Sequence, residues 1–170
     1  MSGGAPYDVE RLIAEARRLA AEYRRATGRP LAGVSGEIAE HDAARLLDLE
    51  LCSERPGGWD AIGRGRRAGK RIQIKARAIF DERKSGQRIG QLKLDKEWDS
   101  VVLVLFDENF EPFEIWEAER PDVEEAVAAS RGARARRGAL SVARFKRIGR
   151  LVWTREEGEI EDEIWEHPGR

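Results

Sequence analysis

Apolar residues recur at steps of three and four along residues 8–26, where Val9, Leu12, Ile13, Ala16, Leu19, Ala20 and Tyr23 build one stripe. That period predicts an amphipathic helix. Asp8 stands at its N-cap, and Gly28 with Pro30 closes it. After the loop GRPLAGVSG, a second helix is predicted from Glu37 to about Leu49, capped by Ser35, with Ala39, Ala43, Leu46 and Leu47 on its inner face. Pro56-Gly57-Gly58 breaks the chain. The pattern then turns to strands. Trp59-Asp60-Ala61-Ile62 predicts a short one, GRGRRAGK a tight turn, and RIQIKARAIF an alternating strand. The polar stretch from Asp81 to Gln91 predicts a loop. SVVLVLF at 100–106 is apolar throughout and predicts a central strand covered on both faces. PFEIWEAE predicts a further strand, residues 121–130 a helix opened by Pro121, SVARFKRIG a helix stopped by Gly149, and LVWT a late strand. A hairpin followed by a buried central strand needs helices on both faces, so the fold class is an α/β sandwich around a mixed sheet.

Composition narrows this reading. A chain of 170 residues is one domain with short appendages. The boundaries expected are 1–34 for an N-terminal helix and loop, 35–154 for the core and 155–170 for an acidic tail. The single cysteine, Cys52, excludes an intramolecular disulfide and a cysteine-based zinc site. No apolar run reaches the length of a membrane span, so no membrane partner is expected. MSGGAPYDVE lacks a basic segment followed by an apolar one, so a signal peptide is not expected and a cytoplasmic location is.

Charge matters more through its layout than its sum. The formal net charge is only −1, yet from Arg55 to Leu92 there are eleven Lys or Arg against three acids. From Arg131 to Arg150 there are eight basic residues and no acid, whereas from Asp95 to Glu125 there are twelve acids against two bases. Two readings stay open: a localised polyanion-binding surface, or basic blocks that pair with the acidic blocks inside the same fold. RGARARRG at 131–138 is a candidate DNA-binding arm. GRGRRAGK does not suit a phosphate-binding P-loop, because Arg71 stands where Ser or Thr is needed and no helix follows.

The chemistry lies in RIQIKARAI. Strand period puts Gln73, Lys75 and Arg77 on one face and Ile72, Ile74 and Ala76 on the other. A polar face that is buried needs polar partners. Asp60, on the strand that precedes the turn, can lie beside Gln73 and Lys75, and Glu37 in the first turn of the second helix is a further acid at the same end of the sheet. A hydrogen-bonded ion pair at a strand edge, and a helix-dipole role for Glu37, are the purely structural readings of the same residues.

Glu37 in SGEIAEHDAARLL, Asp60 in GWDAI and Gln73-Ile74-Lys75 in QIK together resemble the PD-(D/E)xK nuclease superfamily, over roughly residues 35–130. The resemblance implies a restriction-endonuclease-like mixed β-sheet flanked by helices, with an extra N-terminal helix. The chain departs from the family pattern twice: Trp59 precedes Asp60 in place of Pro, and Gln73 stands in place of an acid. The resemblance implies Mg²⁺ (or Mn²⁺) held by Asp60, Gln73, the Ile74 carbonyl and Glu37, with Lys75 orienting the attacking water and stabilising charge. It implies hydrolysis of DNA, with RNA not excluded. Arg64, Arg66, Arg67, Lys70, Arg71, Arg77, Arg83, Lys84 and Arg88 are then the candidate nucleic-acid contacts, and such binding is salt-dependent. Trp59, Trp116 and Trp153 read as core anchors, and Trp98, beside the basic loop, as the tryptophan best placed to stack on a base. A non-catalytic nucleic-acid-binding protein with the same fold is the alternative, and a homodimer joined through the opposite charge blocks is a third reading.

Overall fold

The computed structural model describes residues 8–54, 57–81, 86–130 and 139–161. Within them the order is α1 (Val9–Thr27), α2 (Val34–Leu47), β1 (Leu49–Leu51), β2 (Ala61–Gly63), β3 (Arg71–Ala78), β4 (Ser100–Phe106), β5 (Pro112–Glu119), α3 (Arg120–Ala129), α4 (Val142–Ile148), β6 (Arg150–Thr154) and β7 (Gly158–Glu159). The strands form one mixed sheet in sequence order. Every neighbouring pair is antiparallel except β3 and β4, which run parallel from Ile72↔Ser100 to Ala78↔Phe106.

Every residue of β4 is buried, as its apolar run predicts. Alternation divides it between two cores. Val102, Val104 and Phe106 join Ile72 and Ile74 beneath α1 and α2. Val101, Leu103 and Leu105 join Ile89, Leu92 and Trp98 with Val123 of α3 and Phe145 of α4. Helices therefore cover both faces of a mixed α/β sandwich, and the two periods written into β3 and β4 decide which residue meets which layer.

α1 is capped as its sequence predicts. The Asp8 side chain accepts from the Glu10 N–H at 3.0 Å, and Gly28 takes the left-handed conformation at φ 71°. Its packed stripe differs from the expected one. Ile13, Ala16, Ala20 and Ala21 face the core, while Val9, Leu12 and Leu19 are exposed. The inward stripe also carries Arg17, whose guanidinium binds buried Asp42 through two bonds of 2.8 and 2.7 Å and the Phe110 carbonyl at 2.6 Å. A bidentate ion pair, not a greasy seam alone, fastens this helix to α2.

Three expectations are corrected. α2 begins at Val34 after Gly33 in the left-handed region, so Ser35 lies inside the helix and caps nothing. The helix ends at Leu47 because Asp48 adopts φ 54°, and the next residues become β1 where a helical end was expected. The segment expected to be a tail from residue 155 adds β7 to the sheet edge. α4, by contrast, starts at the expected cap: Ser141 Oγ accepts from the Arg144 N–H at 3.1 Å.

Candidate active site

The site grows out of the point where the β2–β3 hairpin opens. Ala61 and Ile62 pair with Ile72 and Arg71. One residue further, the Asp60 N–H donates to the Ile72 carbonyl at 2.8 Å. There β2 ends as a ladder, and the Asp60 side chain replaces it: Oδ2 accepts from the Ile74 N–H at 2.8 Å. β3 continues to Ala78, and among the described residues no strand pairs with it on that side. N–H and C=O of one strand residue point the same way. The Ile74 carbonyl therefore faces the free edge beside the Asp60 carboxylate.

The chain is steered out of the hairpin at Gly57, which has φ 94°, and at Gly58, where a side chain would collide with the Glu97 backbone. The close approach leaves the Gly58 carbonyl to accept from Gln73 Nε2 at 3.0 Å. That contact fixes the amide, because only its NH₂ end can face a carbonyl. Gln73 Oε1 is then aimed away, in a side chain only 2% exposed, and has no hydrogen-bond partner. A buried acceptor left unpaired costs about 1–3 kcal/mol.

Lys75 follows two residues later on the same face and is half-buried. Its Nζ lies against Gly90 and forms no ion pair among the described residues. Burial lowers the Lys75 ammonium below the ordinary lysine value; the Asp60 carboxylate opposes this and Lys93 reinforces it. A lysine that is desolvated, unpaired and near a carboxylate is a common mark of a functional site.

Asp60 thus meets the edge of β3 at Ile74, the residue between Gln73 and Lys75, and its carboxylate is close enough to Lys75 to act on the ammonium. Glu37 is exposed in the first turn of α2, and none of these contacts involves it. α2 packs on the Ile72 and Ile74 face through Ile38 and Ala39, opposite to Gln73 and Lys75. Among the described residues no three His, Cys, Asp or Glu side chains assemble as a metal cluster. The donors that suit a hard cation are one carboxylate, Asp60, and two neutral oxygens, Gln73 Oε1 and the Ile74 carbonyl. Mg²⁺ accepts such a sparse oxygen set because it keeps several waters, and the unpartnered Oε1 fits that use.

Most of the basic residues of the hairpin meet acids of the same chain. Arg64 pairs with Asp48 and Glu50 at 3.8 and 3.3 Å, and Arg66 with Glu159 and Glu161 at 3.6 and 3.5 Å. Arg67 is buried, 3.1 Å from both Glu117 and Glu159. Lys70 contacts Glu117 and Glu119, and Arg71 holds Asp99 through three bonds and Glu97 at 3.0 Å. The internal-pairing reading of the charge blocks therefore describes this turn. Arg77 is exposed and forms no ion pair among the described residues, and Arg88 is exposed with one bond to the Ala139 carbonyl. Arg83, Lys84 and the segment 131–138 lie outside the described residues. Trp98 is corrected: it is 1% exposed, its indole N–H donates to the Lys93 carbonyl at 2.8 Å, and it cannot stack on a base. The anchor at Gly58 was not anticipated; the buried face of β3 required a partner for Gln73 without identifying it. No family model matches the chain, and no curated protein matches it.

Proposed function

We propose that the protein is a metal-dependent DNA endonuclease of the restriction-endonuclease-like fold, a member of the PD-(D/E)xK superfamily with Gln73 in the place of an acid. The observation that carries the reading is the unpartnered Gln73 Oε1, held by Gly58 two residues from a desolvated lysine and beside the strand residue that Asp60 binds. The helix-covered mixed sheet supports it at the level of architecture.

Asp60, Gln73 Oε1 and the Ile74 carbonyl would hold Mg²⁺ or Mn²⁺, and the ion would supply charge stabilisation to the phosphoryl oxygens. Asp60 also fixes the edge of β3 through the Ile74 N–H, so the donors are oriented before substrate arrives. Lys75 orients the attacking water and, when protonated, stabilises negative charge that develops on the phosphoryl group. Its partly desolvated position strengthens that interaction relative to bulk water.

Incubating plasmid DNA with Mg²⁺ or Mn²⁺ tests the reading. Nicks are expected from the unmodified protein and not from Asp60→Ala or Lys75→Ala. Equal cleavage by both variants would point to a contaminant and end the assignment. The presence of a single carboxylate in the gathered group favours a second reading, a nucleic-acid-binding protein that keeps the fold without cleaving. That reading expects DNA binding with no metal-dependent nicks.

A further inference from the structure

Beyond Asp60, the open edge of β3 borders a cleft of about 680 Å³. Its walls come from α1, the α1–α2 connection and the chain that follows β3, and they include Arg24, Ser35, Arg77, Phe80 and Asp81. We propose that this cleft holds the phosphates of a single polynucleotide strand through Arg24 and Arg77, and that α1 is therefore part of the substrate groove. The inference rests on the nuclease reading for its substrate class, and it assigns a role to a helix outside the resemblance.

Three observations carry it. First, Arg24 and Arg77 form no ion pair among the described residues, in contrast to the hairpin cations that acids of the same chain neutralise. Second, Arg24 is held without being neutralised. Its guanidinium lies 3.3 Å from the centre of the Phe80 ring, and Phe80 meets Phe110 edge-on at 5.9 Å. A ring face orients a guanidinium and leaves its full charge and its edge N–H groups for an anion. Third, the residues of β3 that face this side beyond Ile74 are Ala76 and Ala78, both lining the cleft. Among the described residues their N–H groups have no strand to bond. Guanidinium forks and free amides are both phosphate donors. Among the described residues, Asp81 is the one acid on the wall, against Arg24 and Arg77.

Size selects the form of the ligand. A space of this volume encloses a drug-sized molecule. It admits a strand's backbone over a short stretch. Grooves that track a single strand use the same combination of cations and ring faces.

The test is fluorescence anisotropy with a labelled single-stranded oligodeoxynucleotide, with EDTA present so that binding is read without cleavage. Arg24→Gln and Arg77→Gln are each expected to weaken binding roughly tenfold and to reduce the salt slope by about 0.7. Arg18→Gln, on the exposed side of the same helix, removes the same charge and is expected to change little. Arg24→Lys keeps the charge without the fork and is expected to bind between the parent and Arg24→Gln, and the melting temperature of each variant separates a lost phosphate contact from a loss of fold. Exposed Arg77 provides the independent arm if Arg24→Gln melts early. Unchanged binding in both glutamine variants, or an equal loss in Arg18→Gln, overturns the proposal, as does duplex binding that exceeds single-strand binding and ignores both residues. If the unmodified protein never cleaves, the nuclease reading falls while the binding result stands; if it cleaves and the arginine variants bind normally, the cleft proposal alone fails.

Discussion

On the proposed function, Lys75 stands between two opposing demands. A site that hydrolyses phosphodiesters gains from a cation near the reacting group, whereas folding gains nothing from a half-buried, unpaired ammonium. Its folded-state pKa is lowered by burial, with Asp60 opposing the shift. Between that lowered value and the ordinary lysine value, the unfolded chain binds more protons than the folded one, so stability rises with pH across that window. Lys75→Met should therefore melt at a higher temperature than the parent protein at neutral pH, with the difference shrinking as pH rises toward the ordinary lysine value. Differential scanning calorimetry at several pH values reads this directly, and a variant that melts lower throughout contradicts it. Gln73 supports a second expectation. Gln73→Glu puts a carboxylate oxygen against the Gly58 carbonyl and adds a negative charge near Asp60. The variant should be less stable than the parent in EDTA and should gain more in melting temperature from Mg²⁺. Equal Mg²⁺ shifts in the two proteins would mean that no ion sits between these groups. At this scale the sequence was informative about identity and silent about contact. The alternation in RIQIKARAI separates Gln73 and Lys75 from Ile72 and Ile74, but the partner that orients Gln73 is a backbone carbonyl, and a carbonyl leaves no mark in a sequence.

The β2–β3 hairpin is the element that presents the site, and its turn is tied down from beneath. Glu117 of β5 is 1% exposed and accepts from Arg67 at 3.1 Å, Ser100 Oγ at 2.9 Å and Arg150 at 3.3 Å. Burial alone would raise its carboxyl pKa, but Arg67, Lys70 and Ser100 outweigh that and hold it below the usual carboxylate value. Its contribution to stability is thus complete above the unfolded-state pKa and is lost as pH falls through the lowered folded value. Glu117→Gln leaves Arg67 buried beside a neutral group and should cost about 3 kcal/mol, the scale of a broken buried pair. Chemical denaturation measures that cost, and the difference from the parent should shrink in acid. Long periodic segments such as α1, β3 and β4 were legible because one periodicity covers many residues. β1 and β7 were not, because two or three residues carry no period and their pairing is decided by neighbours distant in sequence. Ser35 misled for a related reason: Gly33 offers the sharper turn, and the helix starts there.

For the whole molecule, charge segregation along the chain becomes charge pairing in space. The acidic block from Asp95 to Glu125 supplies Glu97, Asp99, Glu117 and Glu119 to the basic hairpin. Much of the sequence signal for a polyanion surface is spent in this way, and pattern alone could not distinguish the two outcomes. α1 belongs to the same architecture. Arg17 reaches Asp42, which is fully buried, so Arg17→Met should leave that carboxylate with only the half-exposed Arg45, 3.4 Å away, as its cation and cost about 3 kcal/mol. A melting temperature within error of the parent would show that α1 docks by apolar contact alone. The two-stranded end of the sheet has a wider consequence. Glu159 of β7 grips both Arg66 and Arg67, so the last strand of the fold clasps the turn of the second. Only the short β2 separates that turn from Asp60. The C-terminal hairpin works as a buckle on the candidate site: trimming the chain ahead of Gly158 would slacken a belt whose other end carries the proposed metal ligand.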